Sequence, residues 1–218
     1  MPSQDFLPKL KEHLLSRVIS TIRTENGISE EAVHDRSEPM IFFKSDRMYR
    51  HNIMRLNYTT YDTRRCQDVI NPSTSHHNIM VLNGEDDDHQ NSSSRHPFCY
   101  AQVLGIYHVN VIYTGPGMVD YRANRMEFLW VRWYRKVDSI KRGWGTHQLD
   151  LVQFLPMASG DAFGFIDLLD VMRGSHIIPA FANGKCHVDD KGLSLCAQDS
   201  SDWASYYVNR YVSELAMP

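Results

Sequence analysis

Two runs decide the fold, His96-Pro-Phe-Cys-Tyr-Ala-Gln-Val-Leu-Gly-Ile-Tyr-His-Val-Asn-Val-Ile-Tyr113 and Arg125-Met-Glu-Phe-Leu-Trp-Val-Arg-Trp-Tyr134, joined by a segment that carries the turn residues Gly115-Pro-Gly117. In the first run Cys99, Ala101, Val103, Tyr107, Val109 and Val111 hold the odd positions, while the even positions mix Phe98, Tyr100, Leu104 and Ile106 with Gln102, His108 and Asn110. Successive side chains of a strand point to opposite faces, so the pattern predicts a long strand buried on one face and partly covered on the other. Gly105 stands in its middle, where a long strand can bend as the corners of small barrels require. The second run is apolar on both faces and reads as a central strand.

Working outward, residues 41–44 and 48–60 look strand-like on either side of Ser45-Asp46 and predict a hairpin. Residues 61–70 are polar and Arg-rich, a pattern for a short helix or turn ended by Asn71-Pro72. A strand is expected over 78–82, a mobile acidic Ser/Asn-rich loop over 83–95, and a further strand over 149–155. Residues 162–172 read as a broken helix or loop and 176–181 as a short extended stretch. Near the C-terminus, Ser200, Ser201 or Asp202 offers an N-cap ahead of Trp203, Tyr207 and Tyr211 at four-residue spacing, which predicts a helix over 202–215.

At the other end, Phe6, Leu7, Leu10, Leu14, Leu15, Val18, Ile19 and Ile22 recur at helical spacing and predict an amphipathic helix over 6–24 whose apolar stripe must be covered. Asp5 and Glu12 count against a mitochondrial presequence there. A polar linker follows over 26–39. The expected organisation is an N-terminal helix and linker over 1–38 and a β-rich domain with a C-terminal helix over 39–218. The fold class is α+β, mostly β: a curved antiparallel sheet or partly open β-barrel flanked by N- and C-terminal helices.

Composition narrows the function classes. Lys and Arg number 23 against 26 Asp and Glu, so no global field draws the molecule to nucleic acid or an anionic membrane, and any such contact must come from a local patch. No window approaches the roughly 18 apolar residues of a spanning helix, so no membrane partner is expected. Cys66, Cys99, Cys186 and Cys196 are few and widely spaced, which reads as reduced intracellular thiols in a nuclear or cytoplasmic protein that is not secreted.

Motifs for chemistry are sparse. Cys186-His187 with Cys196 and His176 lacks the two close ligand pairs of a structural zinc site, so no metal and no cofactor is expected. The run Glu85-Asp-Asp-Asp88 reads as a solvated acidic loop, and neither Asp120 nor Glu127 looks recruited to catalysis. No catalytic residue is assigned. One patch has shape: Arg132, Arg135, Lys136, Lys141 and Arg142 gather beside Trp133, Tyr134 and Trp144, a combination that can hold phosphates and stack on bases or on a methylated lysine.

Five phrases spread along the chain carry a resemblance: the segments 6–15, 56–72, 96–108, 127–134 and 202–211, among them Leu56-Asn-Tyr-Thr-Thr-Tyr-Asp-Thr-Arg-Arg-Cys66 and Asp202-Trp-Ala-Ser-Tyr-Tyr-Val-Asn-Arg-Tyr211. Together they resemble a protein module of mushroom-forming fungi encoded in or beside CACTA-like and related DNA transposons. That module often stands at the C-terminal end of longer chains, and with the module beginning here at Met1 no transposase portion is expected in it. The order of the strands at 101–106 and 129–134 and the later segment 177–188 is also similar, at the level of fold, to the bromo-adjacent-homology domain, a bent β-barrel chromatin reader. These resemblances imply a non-catalytic nuclear interaction module that binds chromatin, DNA, a histone or a transposase partner. The alternative is a metal-dependent nuclease or transposase accessory enzyme.

Overall fold

The computed structural model describes residues 6–26, 41–59, 64–83, 97–115, 121–137, 149–187 and 189–209. Strand dominates, with one α-helix among the described residues. The chain divides into two compact units, residues 1–51 with 107–128 and residues 52–106 with 129–218.

The first unit holds helix α1 (Phe6–Asn26), strand β1 (Ile41–His51), the second half of β5 (Phe98–Tyr113) and the beginning of β6 (Asn124–Lys136). In α1, Leu10, Leu14 and Val18 follow one another at four-residue spacing and are all buried, so the centre of the predicted stripe is covered, while Leu7 is exposed. Arg17 reaches past it, its Nη1 donating to the Glu127 carbonyl at 2.7 Å. β1 hydrogen-bonds to β5. Ser45 and Asp46 do adopt the left-handed conformation expected of a turn, with φ of 60° and 50°, but strand continues on both sides of them. The expected hairpin at this point is instead an irregularity within one strand.

In the second unit the strand order is β10-β11-β7-β6-β5-β4-β9, with β4 (Asn78–Leu82), β7 (Asp150–Phe154), β9 (Val171–Gly174), β10 (His176–Pro179) and β11 (Tyr206–Asn209). β8 (Phe163–Ile166) adds to β6 off this path. The sheet is antiparallel and is not a closed barrel. Two features interrupt its simple order. β6 changes partner at Trp133: residues 129–132 pair with β8 and 134–136 with β7. Ser175 alone separates β9 from β10, so one short segment pairs with β4 through its first half and with β11 through its second, and consecutive strands stand at opposite ends of the order. A smaller two-stranded sheet pairs β2 (Met54–Thr59) with β3 (Arg65–Ile70).

Both faces of the central strands are buried, which is why their sequences read as unbroken apolar runs. Ile79 and Val81 of β4, Ala101 and Val103 of β5, and Leu129 and Val131 of β6 face one core cluster. Met80, Tyr100 and Tyr134, one residue out of phase, face a second cluster with Val152, Tyr206 and Val208.

Three further expectations are corrected. Residues 65–70 form a strand, with Cys66, Asp68 and Ile70 turned toward the protein and Arg65, Gln67 and Val69 toward water. Residues 163–174 form β8, a 3-10 turn at Leu168–Asp170 and β9, because β6 and β4 supply edges for these short pieces to pair with. The C-terminal helix is absent over 206–209, where β11 runs between β7 and β10 after a 3-10 turn at Asp199–Ser201. The rest of that expected helix, the linker and the acidic loop lie outside the described residues.

Candidate functional site

The end of β6 carries the cations singled out in the sequence. Alternation along the strand sends Arg132 and Tyr134 inward and Arg135 outward. Arg132 is buried, its Nη1 bonded to Asp202 Oδ2 at 2.6 Å and its guanidinium 3.8 Å from the centre of the Phe154 ring. Burial raises the Asp202 carboxyl above the ordinary carboxylate range, and the Arg132 charge pulls the other way. Tyr134 is buried as well; it stacks on Phe154 with centroids 4.1 Å apart and donates its hydroxyl to Asn78 Oδ1 at 3.1 Å. Burial pushes its phenol well above the usual range, so it stays neutral.

Trp133 is half-buried, packed against the first core cluster and lying over Gly164, where an added Cβ would meet Nε1 at 2.7 Å. Arg135 is exposed and sits opposite Gln153 on β7. With the Gln153 amide oxygen turned toward it, Nε and Nη2 of Arg135 donate to that oxygen at 2.7 and 2.6 Å. Lys136 is half-buried, with Nζ 3.6 Å from the buried carboxylate of Asp150. Lys141, Arg142 and Trp144 lie outside the described residues. The strand therefore separates the patch: Arg132 and Tyr134 belong to the core, Trp133 and Lys136 are intermediate, and Arg135 faces water.

The cysteine and histidine cluster stays dispersed. Cys186 and Cys196 are exposed, and His187 pairs with Asp199 at 3.3 Å. Among the described residues no three His, Cys, Asp or Glu side chains gather in a way that would hold a metal ion. Burial pushes the Asp199 carboxyl up, but hydrogen bonds from the Ser194 and Leu193 N–H groups and the neighbouring His187 outweigh it, and the net shift is downward.

Two constellations had no sequence signal. In the first unit, His51 Nε2 and His108 Nδ1 lie 2.6 Å apart and Tyr49 stacks on His108, so one imidazole donates where the other accepts. Burial, with help from Arg125 and His51, holds His108 below the ordinary histidine range. In the second unit, Arg173 on β9 bonds Asp68 on β3 and lies over Tyr58 on β2 beside an open cleft. Each joins residues far apart in sequence, and no local spacing announces it. No helix among the described residues is long and apolar enough to cross a membrane. No protein-family model, curated protein or solved structure matches the chain.

Proposed function

We propose that the chain is a non-catalytic interaction module of DNA-transposon origin, acting in the nucleus on DNA, chromatin or a transposase partner through the end of β6. The observation that carries this reading is Arg135. It is exposed, and the amide of Gln153, a neutral group, braces it, so its charge is not cancelled by a carboxylate among the described residues. Lys136 follows it, and by sequence the chain then passes to Lys141, Arg142 and Trp144. The accompanying fold reading is a partly open barrel of the bromo-adjacent-homology kind; the partner change of β6 and the β9–β10 segment support it, since corners of bent sheets are made by strands that serve two sheets.

Fluorescence anisotropy with a duplex DNA, titrated with salt, tests the reading. Four phosphate contacts imply a log–log salt slope of about −3.6, and Arg135→Glu is expected to weaken binding equally across sequences and to flatten that slope by about 0.9. Absence of binding at low ionic strength, or binding untouched by Arg135→Glu, would remove DNA as the partner and leave a histone or the transposase to be tested by pull-down with the same variant.

A further inference from the structure

The open cleft of the second unit has a volume of about 600 Å³ and is lined by β3, the turn after it, and the β9–β10 segment. Its size falls within the range of small-ligand sites. Asp68 is the only carboxylate among the described residues that line it, and it is engaged: Oδ2 accepts from Arg173 Nε at 2.8 Å and from the Gly174 N–H at 3.0 Å. Arg173 is clamped a second time by the Tyr58 ring, whose centre lies 3.5 Å from the guanidinium carbon. The side chain is 11% exposed, so it is held in one orientation, yet its two terminal amino groups have no hydrogen-bond acceptor among the described residues.

The rest of the lining is rich in donors. In the turn, Asn71 Oδ1 and Thr74 Oγ1 accept from the N–H groups of Ser73 and His76, while Ser75 keeps its own N–H and hydroxyl without a protein partner among the described residues. His76 and His176 present exposed imidazoles to the same cleft. A guanidinium fixed on one edge and one face, with its remaining N–H groups unpaired among the described residues, matches two oxygens of one anion, because a planar fork meets a carboxylate or phosphate through parallel bonds.

We propose that this cleft is a binding site for an oxyanion, a phosphate or carboxylate group, gripped by the terminal amino groups of Arg173 and by the Ser75 N–H and hydroxyl. The site is separate from the end of β6 and does not depend on the function proposed there. Asp68 and Tyr58 are positioning residues: they hold the guanidinium before the anion arrives, so little side-chain freedom is lost on binding.

The test is a titration of the ¹⁵N-labelled full chain with inorganic phosphate and, separately, acetate, each at constant ionic strength against chloride. With two charge-assisted hydrogen bonds as the anchor, affinity for these minimal probes is expected to be on the order of millimolar. Amide shifts are expected at Ser75, Arg173 and Gly174 with at least one of the two anions, and the anion that shifts them at the lower concentration identifies the class. Arg173→Lys keeps the charge and the partner for Asp68 but loses the fork, and it is expected to weaken binding about tenfold. Shifts with neither anion, or undiminished in Arg173→Lys, would overturn the proposal. Should that variant not fold, the wild-type titration decides: shifts confined to the cleft support the site, and shifts scattered over exposed cations refute it.

Discussion

Leu14→Ala should cost the protein about 2.5 to 4.5 kcal/mol, and Leu7→Ala in the same helix almost nothing. Leu14 is 0% exposed and Leu7 55% exposed, so the two substitutions delete the same atoms from opposite environments. Removing three buried carbons forfeits about 2.4 kcal/mol of transfer free energy, at about 0.8 kcal/mol each. If the site does not collapse, a cavity of up to roughly 80 Å³ adds about 2 kcal/mol more at about 24 cal/mol per Å³. Alanine is the better helix former, so propensity favours both variants slightly, and any loss isolates packing. For a chain of this size each kcal/mol lowers Tm by about 2–4 °C, which puts Leu14→Ala roughly 5–18 °C below the parent. Urea unfolding followed by far-UV circular dichroism gives the free-energy losses of both variants, and thermal melts give the Tm shifts. Equal effects of the two substitutions, or a loss under about 1 kcal/mol at Leu14, would refute the claim that α1 is held by its Leu10–Leu14–Val18 stripe.

Three other perturbations follow from the second unit. Arg132→Met removes the cation beside the buried Asp202 and is expected to cost about 3–5 kcal/mol at pH 7, measured by urea melts. Because burial raises the Asp202 carboxyl, the folded state holds the extra proton above the ordinary carboxylate range, so the variant should regain stability as pH falls toward that range; a flat profile would contradict it. Asp199 behaves oppositely: its lowered carboxyl contributes stability above its unfolded value of 3.8 that is lost as pH falls through the folded value, and Asp199→Asn should flatten the acid limb of the stability profile. Gly164→Ala places a methyl against the Trp133 indole and should cost about 1–3 kcal/mol while shifting the Trp133 indole N–H resonance; an unmoved resonance would mean the ring is not seated there.

Where the sequence pattern was long and had one period, it was sufficient. The run 98–113 is β5 end to end, and the apolar residues at helical spacing over 6–24 lie in α1, which runs to Asn26. Short aromatic segments carry two periods at once. Trp203, Tyr207 and Tyr211 fit a helix, but Tyr206 and Val208, two apart, are the residues buried, and pairing to β7 and β10 chose between them. Residues 65–70 misled for a related reason: a two-stranded sheet with one wet face shows mostly polar residues, and only Cys66, Asp68 and Ile70 mark its inner side. Within the cationic patch, the inward turn of Arg132 was half legible, since it shares a strand face with Phe128, Trp130 and Tyr134. Its carboxylate was not, because Asp202 lies 70 residues away and looked like a helix cap. The oxyanion cleft was hidden for the same reason, with Asp68 and Arg173 separated by 105 residues.

The single residue between β9 and β10 makes two distant pairings depend on one another. A chain that registers β9 on β4 has already delivered β10, one peptide later, to the place where β11 must meet it, and a slip of one residue in either pairing would turn the side chains of both halves to the wrong face. The segment behaves as a buckle: neither end of the strand order can be fastened in register unless the other is, so the amides of Met80 and Arg173 at one end and of Ile178 and Tyr207 at the other should open to hydrogen exchange together, as one cooperative event.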